Sequence, residues 1–151
     1  MSAHPAPAAP AVHRLETTFG TFEVADGDCI TFPEGLPGFE GCRRFVVLSS
    51  PDFAPLSCLQ SVDGPPASFL AVDPRQVLAG YRCVLSDADR VKLGAVEGDT
   101  LLWLSLVTVD SEQGASVNLR APVVVNPVRM TGFQVLPHQS LYPLRHPIAL
   151  E

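Results

Sequence analysis

Apolar and polar residues alternate through most of this chain in short runs. The repeat is the two-residue period of a half-buried strand, not the 3.6-residue period of a helix. In LETTFGTFEV, residues 15–24, Phe22 and Val24 fall on one face and Glu23 on the other. A turn at Ala25-Asp26-Gly27-Asp28 leads into a strand at 29–32, and an Asp-Gly between two such runs predicts a hairpin. Further strands are predicted at 45–48 (FVVL), 56–61 (LSCLQS), 68–72 (SFLAV) and 81–85 (YRCVL). The most hydrophobic run is TLLWLSLVTV at 100–109. Leu101, Trp103 and Val107 share one face and Leu102, Leu104 and Leu106 the other, so this strand should be covered on both sides. SVNL, PVVVN and GFQVL follow, with Pro122 and Pro127 limiting where the valine run can pair.

One helix stands out. Ser86 is an N-cap candidate with Asp89 three residues on, a capping box with Asp in place of Glu. Val91 and Leu93 would pack inward and Gly94 would end it. The first thirteen residues, MSAHPAPAAPAVH, hold three prolines in ten positions and read as a disordered tail. Residues 14–151 then form a single domain, with 137–151 running over its surface. About nine short strands with one short helix predict an all-β fold, a small antiparallel β-barrel or sandwich.

Composition narrows the function. With 46% hydrophobic and 17% charged residues the chain has the balance of a folded protein. No run approaches the roughly 20 apolar residues that span a bilayer, and no basic segment leads into an apolar one at the N-terminus. The expectation is a cytoplasmic protein with no membrane partner. The net charge is −6, and Lys92 is the one lysine. That argues against direct nucleic-acid binding, which needs a basic face. The acid is concentrated: residues 1–110 carry a net −7 and residues 111–151 a net +1. An acidic protein is suited to a basic protein partner.

Candidate chemistry is sparse. Gly-rich phosphate loops, H-E-x-x-H, G-x-S-x-G and dinucleotide fingerprints are absent. Cys29, Cys42, Cys58 and Cys83 are spaced 13, 16 and 25 residues apart, without a C-x-x-C pair or a neighbouring histidine. They read as buried or half-buried thiols, and no metal, cofactor or catalytic residue is assigned. His4, His13, His138 and His146 read as surface residues. Three features are left as candidate partner contacts. Asp87, Asp89, Glu97 and Asp99 form an acidic stretch, either a solvated face or a steering surface. The loop Gly35-Leu36-Pro37-Gly38-Phe39-Glu40 is either a turn or an interaction loop, with Leu36, Phe39 and Glu40 as its contacts. Its glycines should supply backbone angles that a Cβ opposes. Tyr81, like Trp103, is either a core aromatic or an interface anchor.

Several strings resemble one family in its own order. Phe32-Pro33-Glu34-Gly35-Leu36-Pro37-Gly38-Phe39-Glu40 resembles the F-x-x-G-L-P-G-F-E signature of the flagellar assembly factor FliW. Leu59-Gln60-Ser61, Phe69-Leu70-Ala71-Val72-Asp73-Pro74 and Val117-Asn118-Leu119-Arg120-Ala121-Pro122-Val123-Val124-Val125-Asn126 resemble its next segments. Gly132-Phe133-Gln134-Val135 and the pair Tyr142 and Arg145 resemble its last ones. The resemblance covers about residues 15–148 and is loosest between 86 and 110. It implies a β-barrel-like fold without catalysis and two protein partners, the RNA-binding translational regulator CsrA and flagellin. It implies that the protein antagonises CsrA and so relieves repression of flagellin translation, with flagellin competing for it. The alternative is a dedicated flagellin-binding secretion chaperone without a role in translation.

Overall fold

The computed structural model describes residues 12–17, 20–63, 65–112, 114–136 and 140–149. Within them the alternating runs become β1 (Val12–Thr17), β2 (Gly20–Ala25), β3 (Ile30–Thr31), β4 (Arg44–Ser49), β5 (Ser57–Ser61) and β6 (Ser68–Val72). After these come β7 (Leu102–Asp110), β8 (Gly114–Val117), β9 (Val123–Asn126), β10 (Thr131–Gln134) and β11 (His146–Ile148). Two short helices, α1 (Pro74–Val77) and α2 (Asp87–Leu93), lie between β6 and β7.

Seven strands close on themselves in the order β7-β6-β5-β4-β3-β10-β9, with β9 returning to β7. Closure depends on the length of β7. Leu102–Leu104 pair with β9, while Val107–Asp110 pair with β8, which in turn carries β11 as a flap outside the barrel. The antiparallel expectation holds for every ladder but one, since β3 and β10 run parallel, Thr31 opposite Thr131. β1 and β2 form a separate hairpin.

Alternation along the strands sorts side chains into two layers. Ile30, Phe45, Leu59, Ala71, Leu104, Val123 and Val125 fill the barrel together with Phe32 and Leu36. Their outward neighbours are apolar too, and three attachments cover them. The β1–β2 hairpin lays Leu15, Phe22 and Val24 over Val46, Leu48 and Cys58. Helix α2 and the segment before it place Leu93, Leu85 and Cys83 over Val124, Phe133 and Trp103. Tyr81, Tyr142 and Ile148 cover Val72, Val107 and Val117. Each large side chain fully withdrawn from water is worth roughly 1.5–3 kcal/mol. The doubly apolar β7 is explained this way, with Leu104 inside and Trp103 and Val107 under the outer layer.

The structure corrects several readings. The Asp-Gly turn is a 3-10 turn at Asp26–Asp28, and β2 and β3 do not pair with each other. The hairpin lies earlier, with Thr17 opposite Gly20, so the run at 15–24 is two strands rather than one. Residues 81–85 are in no ladder. Helix α2 has the expected box, with Ser86 accepting from the Asp89 N–H at 3.0 Å and Gly94 left-handed at its end. Leu93 packs inward, but Val91 is 80% exposed, because it falls on the helix face turned from the barrel. Leu102 is 37% exposed, since it sits at the barrel rim. The C-terminal surface stretch contains β11. Strand β1 begins at Val12, inside the segment read as tail, and residues 1–11 lie outside the described residues.

Candidate partner-binding face

The 32–43 loop is built by turns. Gly35 N–H donates to the Phe32 carbonyl at 2.9 Å, Phe39 N–H to Leu36 at 2.7 Å and Cys42 N–H to Phe39 at 3.0 Å. The Arg43 guanidinium ties the loop across its base, donating to the Glu40 and Pro33 carbonyls, both at 2.8 Å. Gly35 and Gly38 have φ of +65° and +84°, as the sequence predicts for their roles. Leu36 is buried in the barrel core, which removes it from any partner surface. Phe39 stacks edge-on against Phe69 with ring centroids 5.0 Å apart and remains 39% exposed. Glu40 is exposed and accepts from the Gly38 N–H at 3.1 Å. Hydrogen bonds from its own N–H and that of Gly38 hold its carboxyl below the ordinary carboxylate value.

Lys92 of α2 joins this loop to the next part of the face through an ion pair with Glu34 at 3.2 Å. Before α2 runs the strap 81–86. Tyr81 and Leu85 are buried, Cys83 is half-buried, and Arg82 and Val84 are exposed, the alternation of an extended segment. Tyr81 is a core aromatic. Its hydroxyl donates to the Leu119 carbonyl at 2.7 Å, and its ring lies 4.5 Å from that of Tyr142. Burial pushes its phenol well above the ordinary value. The Tyr142 hydroxyl accepts from the Arg82 N–H at 3.0 Å. Burial also raises the Cys83 thiol, with Asp89 adding to the effect.

A groove lies on each side of the strap. The first, about 480 Å³, is lined by Arg75, Arg82, Arg90, Val84, Val96 and Trp103, with Glu97 and Asp99. The second, about 570 Å³, is lined by Tyr81, Arg82, Val84, Arg120, Leu141 and Tyr142. The acidic stretch therefore does not form one patch. Asp87 and Asp89 open α2, where Asp89 accepts from the Ser86 N–H at 3.3 Å, and Asp99 accepts from the Val96 N–H at 2.9 Å. Glu97 and Asp99 share their groove with three arginines, one of which, Arg75, is paired with Asp73 at 2.9 Å. The arginines are the residues that sequence reasoning missed. They are dispersed at 75, 82, 90 and 120, and no local run announces that the fold brings them around one segment.

The motif residues Asn118 and Asn126 serve the fold. The Asn118 carboxamide oxygen accepts from the Arg120 and Ala121 N–H groups. Buried Asn126 donates to the Leu93 carbonyl at 2.9 Å and accepts from the Val128 and Arg129 N–H groups. Spacing separated histidine from cysteine, yet pairing of β1 with β2 brings ligand atoms of His13, Asp26 and Cys29 within 4.8 Å of one another. His13 Nε2 and Asp26 Oδ1 are 2.5 Å apart, and burial raises the Cys29 thiol, which favours its protonated form. The four cysteines are free, Cys42 and Cys58 buried and the others half-buried. His146 is half-buried in β11.

Comparison with known proteins gives one answer. The family model described as FliW protein matches residues 14–148. The flagellar assembly factor FliW of Natranaerobius thermophilus is 36% identical over 132 residues, covering 86% of this chain and 87% of that protein. Its counterpart from Geobacter sulfurreducens is 35% identical, covering 87% and 82%. A crystal structure of the flagellar assembly factor FliW superposes with a TM-score of 0.80 at 28% identity, covering 88% of this chain and 94% of that one.

Proposed function

This chain belongs to the FliW family of flagellar assembly factors, and from that premise we propose that it is a non-catalytic, cytoplasmic antagonist of a CsrA-type translational regulator that also binds flagellin. Bound to the regulator, it relieves repression of flagellin translation. Bound to flagellin, it is withdrawn from that task, so translation follows flagellin export and falls as free flagellin accumulates. The observation that carries the reading is the span of the family match, which takes in the barrel, the 32–43 loop, α2 and the strap as one unit. The net charge of −6 supports it, because a regulator that holds RNA is basic and charge complementarity speeds encounter. No helix among the described residues is long and apolar enough to cross a membrane.

The test is a titration of a preformed complex of the CsrA-type regulator and flagellin-leader RNA. RNA is released as the protein is added, and added flagellin restores the RNA complex. Flagellin binding with RNA fully retained would replace this reading with that of a dedicated flagellin chaperone. Binding to neither protein would refute both.

A further inference from the structure

We propose that the strap 81–86 receives an extended, acidic and apolar peptide segment of a partner protein by strand addition, on the edge that faces Tyr142 and Arg120. The proposal deepens the partner-binding reading above and rests on it for the identity of the protein that supplies the segment.

Three observations carry it. The strap is a strand without a ladder. Its side chains alternate between the barrel and solvent, yet the N–H groups of Cys83, Val84 and Leu85 have no partner among the described residues. In an extended segment alternate residues present N–H and C=O to the same edge. Arg82 N–H points at the Tyr142 hydroxyl, so the N–H and C=O of Val84, without a partner among the described residues, face that side too. Second, this edge opens on a groove of about 570 Å³, large enough for several side chains. Val84 and Leu141, 81% and 99% exposed, flank it over the Tyr81 and Tyr142 rings, which are tilted 36° to each other. Third, the charge is one-sided. Arg82 and Arg120 line this groove and, among the described residues, no carboxylate does, in a chain whose net charge is −6. Backbone pairing supplies affinity in such docking and side-chain pockets supply selectivity. The segment that fits offers main-chain groups to Val84, carboxylates to Arg82 and Arg120, and an apolar residue between them.

The probe is a fluorescein-labelled hexapeptide of alternating leucine and glutamate, followed by fluorescence anisotropy on the full chain. Saturable binding is expected, about tenfold weaker or worse for the leucine–lysine version. Val84→Pro removes the edge N–H from an exposed position whose preceding residue is already extended. It should weaken binding more than about tenfold, whereas Val84→Ala, which keeps the N–H, should lose less than that. Arg82→Glu should also lose about tenfold. Circular dichroism checks the fold of each variant. If Val84→Pro does not fold, the hexapeptide with alternate N-methylated amides performs the same deletion from the other side and should not bind. Absence of saturable binding, or equal binding by Val84→Pro and by the N-methylated peptide, overturns the proposal. If the peptide fails while the CsrA-type regulator and flagellin still bind, the strap inference falls and the functional reading stands. If the peptide binds and neither protein does, the reverse holds.

Discussion

Substituting Gly35 by alanine tests whether the signature loop is fixed by sterics. A Cβ at this position would lie 2.7 Å from Glu40 Cα and 2.8 Å from the Phe39 carbonyl oxygen. Both are backbone atoms, so no side-chain rotation relieves the contact. The left-handed φ of +65° adds about 1–2 kcal/mol for a residue with a Cβ. Moving the 39–40 backbone away would loosen the Gly38 N–H bond to Glu40 and the Phe39 N–H bond to Leu36, the latter worth about 0.5–1.5 kcal/mol. Together the φ cost and the Phe39 bond give a loss of roughly 1.5–3.5 kcal/mol, a substantial part of the 5–15 kcal/mol typical of a domain. Gly38 is the internal control. Its φ of +84° is also left-handed, but a Cβ there meets nothing within 4 Å, so Gly38→Ala should cost only about 1–2 kcal/mol. Urea unfolding of the two variants and wild type, followed by the fluorescence of Trp103, measures the difference. If the two substitutions cost the same within about 0.5 kcal/mol, the close approach of the two loop strands does not constrain the fold and the argument fails.

Leu104→Ala removes an inward side chain of β7 and should cost about 2–5 kcal/mol in the same assay; stability within a few tenths of wild type would place the residue outside the core. Tyr81→Phe leaves the buried Leu119 carbonyl without its 2.7 Å donor and should cost about 1–3 kcal/mol, which calorimetry would read as a lowered Tm. The Ser105 hydroxyl is buried without a partner among the described residues, so Ser105→Ala should be neutral or stabilising, and a clear loss by urea titration would show an unrecognised bond. Burial raises the Asp63 carboxyl, but hydrogen bonds from the Arg44 side chain and the Arg44 and Arg43 N–H groups outweigh it and depress the group below 3.8. A depressed carboxylate stabilises fully above its unfolded value and loses that contribution as pH falls through the folded one. Wild type should therefore lose more stability than Asp63→Asn as pH drops below 3.8, and parallel urea midpoints would refute the role.

The β character of the chain was legible because alternation is local. Ser86, Asp89 and Gly94 marked α2 for the same reason. What was not legible depends on partners far away in sequence. Residues 81–85 alternate like a strand, but their inward side chains pack on the outside of the barrel and no strand among the described residues pairs with them in a ladder. β11 carries a proline and only three residues, and it forms because β8 offers an edge. The family strings were readable because they are architectural. Gly35 sits where a Cβ would meet backbone at 2.7 Å, and Asn118 and Asn126 hold a turn and a junction through their side-chain hydrogen bonds. The arginines around the strap converge only through the fold, so charge counting along the chain pointed to the acids instead.

The parallel contact of β3 with β10 has a kinetic consequence. Thr31 and Thr131 are about a hundred residues apart in the chain, whereas β4, β5 and β6 each pair with a near neighbour in sequence. Loop-closure entropy grows with separation and must be met before distant contacts contribute. The β3–β10 junction, with a two-residue strand on one side, should close late, after the neighbouring strands have paired. Interactions formed after the transition state govern escape from the native state more than the rate of reaching it. The signature loop follows β3 directly, and Phe32 at its start packs against Gly132 of β10. Its tight geometry thus acts as a latch: lesions in it should hasten unfolding while leaving the folding rate nearly unchanged.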